Sequence, residues 1–250
     1  HEKPRSKIYY DYVITVSEFC RREWLGLIPE GNAFVLRNGI NPARFKKRMS
    51  IDEKIQLRES FGITPDDFIV LYCGRLIPEK GVLELVTAIT GISNEQIRLL
   101  CVGSSAFAGG KKTEYTECIQ ELALKHTGRI IFTGYVNNEE LYKYQQIADI
   151  QVIPSLCEEA AGLVAIEGMC AGLPLIVTRS GGLVEYVNEK CAMIVSKEAV
   201  VQNLMDAIVQ AGTDIKWRMR ASRESLLQAE KFTEDKFYKN LVSLVSKISS

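Results

Sequence analysis

Short β-rich runs alternate with helical patterns along nearly the whole chain, and that rhythm limits the fold more than any other feature. The runs occupy residues 12–16, 33–36, 68–73, 97–102, 130–133, 150–153, 175–178 and 192–195. Strands separated by helices pair in parallel, because a parallel pairing needs a crossover of a dozen or more residues. Runs such as 68–73 and 192–195 are apolar throughout rather than alternating, which predicts burial on both faces. The expectation is an α/β fold, a parallel sheet flanked by helices. Helix starts are also marked: Ser50 and Glu53 form a capping box before 55–61, and Asn138 precedes the helical pattern at 141–147. Beyond residue 195 the strands stop, and helices are predicted at 199–211, 214–229 and 234–248. The last carries Phe237, Leu241, Leu244 and Val245 at helical spacing.

Composition narrows the chemistry. A length of 250 residues allows one large domain or two small ones, with enough core to fold without disulfides. The 31 basic and 31 acidic residues cancel, so no global field attracts nucleic acid. With His1 and His126 as its histidines, the chain offers no His-rich metal site and no Ser-His-Asp triad. Seven cysteines, without a Cys-x-x-Cys pair and mostly inside apolar runs, read as buried reduced thiols of a cytosolic protein. Apolar runs such as 147–154 are too short to span a bilayer. The sequence opens without Met and enters the run at 12–16 almost at once, as though a preceding element were missing.

In a doubly wound sheet, ligands bind outside the carboxyl ends of the strands, so the turns that follow strands carry the chemistry. Glu159 and Glu167 stand eight positions apart, one in a loop and one about a turn inside a helix, with Gly162 at the junction. Both can face the helix mouth, where free N–H groups and the positive dipole end hold an anion. Carboxylates beside an anion site bind hydroxyls, which suits a phosphate flanked by two hydroxyl-bearing groups, as in a nucleotide-sugar. A capped helix with a solvated glutamate fits the same spacing. After 68–73 come Gly74 and Arg75, then Lys80 just before the helical pattern at 82–89. Cations at a helix amino end oppose its dipole by roughly 0.3 to 1 kcal/mol. A bound pyrophosphate removes that conflict, Arg75 offering a planar fork and Lys80 a point charge. Solvated residues around a Pro78 turn are the other reading.

The loop from Gly103 to Thr113 lacks P-loop order, and no Gly-x-Gly-x-x-Gly fingerprint exists, which argues against an NAD-dependent enzyme. It reads as a ligand-side loop or a solvent loop. Gly134 lets backbone approach a flat ligand on which Tyr135 packs, or makes a plain turn. Gly181 and Gly182 form either a backbone anion nest or a tight connection.

In order along the chain, Gly74-Arg75 with Lys80, Gly134-Tyr135-Val136, Ala148-Asp149 before Ile153-Pro154-Ser155, Glu159-x7-Glu167 with Gly162, Ala171-Gly172-Leu173-Pro174 and Gly181-Gly182-Leu183-x-Glu185 resemble the carboxyl-terminal half of family 4 retaining glycosyltransferases, the glycosyl transferases group 1. Residues 38–45 resemble the segment that joins that family's two domains. The resemblance implies the GT-B fold, two Rossmann-like domains facing one another across a cleft, with this chain as the carboxyl-terminal, donor-binding one. The implied division is a segment from the missing N-terminal domain and linker over 1–45, a nucleotide-sugar donor-binding Rossmann-like domain over 46–232, and a C-terminal helix over 233–250 that packs on the missing domain.

Carried over residue by residue, the resemblance implies that Arg75 and Lys80, beside Gly74, bind the donor diphosphate and act in catalysis with Glu159. Glu159 lies near hydroxyls of the transferred sugar. Gly162, Leu163 and Val164 meet the phosphate through backbone N–H groups, and Glu167 takes the ribose hydroxyls. Backbone near Tyr135 and Val136 contacts the base. The family's usual Phe before the motif glycine is Ala161 here, which bears on the shape of the sugar pocket. The implied reaction is transfer with retention, without an obligatory metal or cofactor, because Arg and Lys offset charge on the leaving diphosphate. UDP is the family's usual donor nucleotide. The implied acceptor is a glycan or lipid-linked glycan of a bacterial surface polysaccharide, and the implied location cytoplasmic, peripheral at the inner face of the membrane when full length. Without the acceptor-side domain, the chain is expected to bind donor and transfer little or nothing. The alternatives are a GT-B sugar-nucleotide epimerase, a non-catalytic nucleotide-sugar-binding regulatory subunit, and a phosphate-binding domain without sugar specificity.

Overall fold

The computed structural model describes residues 10–45, 47–104 and 113–249. A short leading unit pairs β1 (Val13–Thr15) with β2 (Ala33–Val35) in parallel, α1 (Glu18–Arg22) lying between them in sequence. The main body opens with α2 (Ile51–Ser60), β3 (Phe68–Cys73), α3 (Val82–Gly91) and β4 (Ile97–Val102). Next come α4 (Glu114–Leu124), β5 (Ile130–Gly134), α5 (Leu141–Ile147) and β6 (Ile150–Ile153). It closes with α6 (Leu163–Cys170), β7 (Leu175–Thr178), β8 (Ala192–Val195), α7 (Val200–Thr213), α8 (Ile215–Ala229) and α9 (Glu234–Ser249). Strands β3 to β8 form one parallel sheet in the order β5-β4-β3-β6-β7-β8.

The sheet is covered on both faces, as the apolar strands require. Along β3, Ile69, Leu71 and Cys73 join a core with Leu141 and Ile147 of α5 and Ala165, Ile166 and Met169 of α6. The intervening Val70 and Tyr72 join a second core with Leu85, Val86 and Ile89 of α3, Ile119 of α4, and Leu204 and Ile208 of α7. A period of two along the strand therefore feeds two helical layers.

The chain winds outward from β3 to β5 and then returns to lay β6 on the other side of β3, so the strand order reverses between β3 and β6. That switch point leaves a crevice at the carboxyl ends of those two strands. At the opposite, amino end, Asp149 pins them together: its Oδ2 accepts the Ile69 N–H at 2.7 Å, and its own N–H donates to the Ile69 carbonyl at 2.9 Å. Burial raises the Asp149 carboxyl, an effect that the Ile69 hydrogen bond opposes. Ala148-Asp149 thus serves the sheet, far from the crevice.

The capping box is present, with Ser50 Oγ accepting the Glu53 N–H and Glu53 accepting the Ser50 N–H. Asn138 does not cap α5. The residue before that helix is Glu140, and the neighbouring Asn137 makes the turn, its Oδ1 accepting the Glu139 N–H at 3.1 Å. The seven cysteines are free, but only Cys73, Cys101 and Cys191 are fully buried; Cys118 lies on the exposed side of α4, which corrects the expectation of uniform burial. Backbone bonds from Ile40 N–H to Phe232 and from Glu234 N–H to Ile40 tie the segment after β2 to the start of α9. On α9, Phe237, Leu241 and Leu244 are half-buried while Tyr238, Val242 and Val245 are exposed. Among the described residues, no helix is long and apolar enough to cross a membrane.

Candidate functional site

Two loops meet at the switch point, one after β3 and one after β6. Gly81 makes the meeting possible. Its φ of +66° suits glycine, and a Cβ there would lie 2.0 Å from the Pro154 carbonyl oxygen. The N–H groups of Leu156 and Cys157 complete the seam by donating to the Glu79 carbonyl at 2.9 and 3.2 Å. Lys80 is thereby brought to Glu159, with Nζ 2.5 Å from Oε1. The Ser155 hydroxyl donates to the same oxygen at 2.5 Å, and Ser155 itself is buried. One carboxylate oxygen is thus held twice. Arg75 is exposed on the neighbouring turn, where its carbonyl accepts the Tyr72 hydroxyl at 2.7 Å; its guanidinium has no ion-pair partner among the described residues.

Helix α6 starts at Leu163, and its N-cap, Gly162, supplies no side chain to bond the first turn. Among the described residues its leading N–H groups have no backbone or capping acceptor, the arrangement in which a helix terminus can hold an anion. Two cavities adjoin this terminus. One, of about 320 Å³, is lined by Lys80, Ser155, Glu159, Ala161 and the turn from Gly162 to Val164. The other, of about 200 Å³, is lined by Arg75, Tyr135, Val136, Val164 and Glu167. Cys73, Gly74 and Val164 border both.

The two carboxylates therefore do not share one mouth. Glu159 lies in the larger cavity and Glu167 in the smaller, on either side of Val164. Burial raises the Glu167 carboxyl, with Arg44 pulling weakly the other way. The carboxylate makes no hydrogen bond or ion pair among the described residues. Beside it, burial and then Glu167 push the Cys170 thiol up to about 11. Tyr135 is exposed at the rim of the smaller cavity.

Gly181 and Gly182 form a tight connection rather than an anion nest. The Gly182 N–H is spent on the Glu159 carbonyl at 2.6 Å, and the Leu183 N–H on Ser180. Much of the loop after β6 is fastened in the same way: the Ser180 hydroxyl donates to the Cys157 carbonyl, and Lys197 pairs with Glu158. Most of the candidate loop from Gly103 to Thr113 lies outside the described residues; Gly103 itself donates to the Gly134 carbonyl at 3.0 Å. Ser155 is a residue of the crevice to which the sequence motifs attach no role. Its place after an apolar strand and four residues before Glu159 is the signal that marks it.

These elements, in this order, match a known family. The family described as Glycosyl transferases group 1 matches residues 53–226, which takes in every crevice residue named above. The chain belongs to the glycosyl transferases group 1 family. This group 1 chain is 37% identical over 182 residues to an uncharacterized glycosyltransferase of Methanocaldococcus jannaschii, covering 71% of itself and 45% of that protein. It is 29% identical over 178 residues to the lipopolysaccharide 1,2-N-acetylglucosaminetransferase of Salmonella typhimurium, covering 70% of itself and 46% of that protein. Among solved structures, it is similar to Anabaena HepE in complex with UDP and glucose, with a TM-score of 0.83 at 19% identity, over 95% of this chain and 63% of that one. That likeness is one of fold, and the parallel sheet flanked by helices is that of the GT-B glycosyltransferases. The group 1 chain spans about half the length of the curated relatives it matches.

Proposed function

We propose that the chain is the nucleotide-sugar donor-binding half of a retaining glycosyltransferase. The observation that carries this reading is the division of the crevice by Val164 and Gly74. On one side stands a half-buried carboxylate, Glu167, without a hydrogen bond or ion pair among the described residues, and on the other the Lys80–Glu159 pair at the same helix terminus. A nucleotide-sugar has that layout: ribose hydroxyls, a diphosphate in the middle, and sugar hydroxyls beyond. Glu167 accepts the ribose hydroxyls, with the base against Tyr135 and Val136. The diphosphate lies over Gly74 and the N–H groups of Gly162, Leu163 and Val164. Glu159, steadied by Ser155, accepts hydroxyls of the transferred sugar. As the anomeric bond breaks, negative charge grows on the leaving diphosphate, and Arg75 and Lys80 offset it. The diphosphate competes with Glu159 for Lys80.

UDP is the proposed donor nucleotide, supported by the chain's likeness in fold to a protein solved with UDP and glucose. The proposed acceptor is a glycan or lipid-linked glycan in surface polysaccharide synthesis, a reading supported by the lipopolysaccharide relative; a cytoplasmic place, peripheral to the membrane, is proposed with it. We further propose that 1–45 and 233–250 connect the donor domain at 46–232 to an acceptor-side half, and that the 250-residue chain binds donor without transferring it. The exposed Val242 and Val245 of α9 favour such a contact.

Calorimetry against UDP-, GDP- and ADP-sugars, with inorganic phosphate as competitor, tests the binding reading. One nucleotide-sugar should bind with a single site; phosphate competing as well as UDP would leave only a phosphate-binding domain. In an intact enzyme, Lys80→Ala should lower turnover more than donor affinity, and equal losses would remove Lys80 from the transition state. Sugar transfer by that enzyme excludes an epimerase.

A further inference from the structure

We propose that Ser17, which lies outside the donor crevice, is the positioning residue of its sugar-side loop; the inference rests on the sugar role given to Glu159. Ser17 is fully buried, and its hydroxyl donates to the Ala160 carbonyl at 2.7 Å across 143 residues of sequence. Ser17 Oγ in turn accepts the Cys20 N–H at 3.1 Å, which makes Ser17 the N-cap of α1. From the other side, the Gly182 N–H holds the Glu159 carbonyl at 2.6 Å. Gly182 packs so closely that a Cβ on it would stand 2.4 Å from the Ala160 oxygen and 2.6 Å from Ser17 Oγ. Cys20 Sγ approaches the Ala160 carbonyl as well, at 3.6 Å. Two consecutive carbonyls, those of Glu159 and Ala160, are therefore clamped between α1 and the turn at 181–182.

The clamp is itself anchored. Glu185 accepts the N–H groups of Glu18 and Phe19 at 2.9 and 2.8 Å and pairs with Arg37 at 3.0 Å. The Tyr186 hydroxyl donates to the Val16 carbonyl at 2.7 Å and accepts the Asn38 N–H at 3.2 Å. Segment 16–20 is thus fastened at several points to the body that bears the crevice, and Ser17 hands its position to the peptide that carries the Glu159 side chain. Among the described residues Glu167 receives no such link: it is set by α6 and lines the other cavity. Ser17 should consequently govern the sugar half of the donor and leave the nucleotide half alone.

Ser17→Ala in the 250-residue chain tests this by calorimetry with UDP, UDP-glucose and UDP-N-acetylglucosamine, and by amide hydrogen exchange. Losing one neutral hydrogen bond should shrink the affinity gained from the sugar by about 2- to 10-fold, with UDP affinity within about twofold of the unaltered chain. Exchange at 159–161 should quicken while 166–170 stays as before. A loss shared equally by UDP and the UDP-sugars would mark a merely structural residue and overturn the proposal, as would unaltered exchange at 159–161. If Ser17→Ala fails to fold, Glu185→Gln, which loosens the anchor of α1, must give the same sugar-selective loss or the proposal falls. If the unaltered chain binds no UDP compound, the donor reading itself fails, and exchange alone then decides whether Ser17 holds the loop.

Discussion

Glu167 should cost the fold stability and serve the ligand, so replacing it should move the two properties in opposite directions. Its carboxylate is half-buried in the wall of the smaller cavity, without a hydrogen bond or ion pair among the described residues. Burial raises its folded-state pKa above the ordinary 4.5. Between those two values the folded chain binds more protons than the unfolded chain, so stability falls as the pH rises through that window and returns on acidification. Glu167→Gln keeps the shape and removes the titration. At pH 7 it should melt above the unaltered chain, and the gap should close as the pH drops toward 4.5. For the ligand the sign reverses. A charge-assisted hydrogen bond contributes on the order of 1.5 to 3 kcal/mol, so Glu167→Ala should weaken UDP binding roughly 10- to 150-fold. Glutamine still accepts a neutral hydrogen bond of about 0.5 to 1.5 kcal/mol and should recover part of that loss. Calorimetry with UDP and melting curves from pH 4 to 8 measure both halves. Unchanged UDP affinity in both variants would sink the ribose assignment, whatever the melting curves show. A Glu167→Gln chain that melts lower at pH 7 would refute the claim that its charge is carried at a cost.

The remaining expectations concern the seam between the two loops. Ser155→Ala should weaken a UDP-sugar more than UDP, by about 2- to 10-fold, because Ser155 keeps Glu159 in place once the diphosphate draws Lys80 away; equal affinities by calorimetry would show that Glu159 holds itself. Gly81→Ala should destabilise the fold by more than about 1 kcal/mol, because its left-handed backbone and the contact with Pro154 oppose any Cβ. Denaturant midpoints measure this, and a change under a few tenths of a kcal/mol would mean that the loops can part freely.

How much of this was legible beforehand follows from the range of the interactions involved. The strands were readable because each is a short, mostly apolar local run: β3, β4, β6, β7 and β8 begin and end where the pattern places them, although β8, at the sheet edge, is only half-buried beyond Ala192. The capping box at Ser50 was readable for the same reason, with both partners inside one turn. The crevice was readable only in part. Spacing along the chain puts Glu167 about a turn inside α6, but which residues face it depends on β6 returning to pair with β3, a register fixed by Val70 with Ile150 and Leu71 with Gln151. Hence the division of the two carboxylates between separate cavities was out of reach, and so was the fate of Gly181 and Gly182, whose nest-like pattern is consumed by the Glu159 carbonyl.

Asn138 failed for a smaller reason, since two adjacent asparagines compete for one turn and Asn137 takes it. Ser17 lies at the far limit of that scale. Locally it is an ordinary N-cap whose hydroxyl accepts the Cys20 N–H, without even the capping-box glutamate that marks Ser50. Its second partner, Ala160, is 143 residues away and offers only a backbone carbonyl, a group that every residue carries and no motif can mark. The parts of this site that speak through side chains were visible as a pattern. The parts that speak through backbone become visible only where a glycine such as Gly81 or Gly182 shows how closely two chains approach.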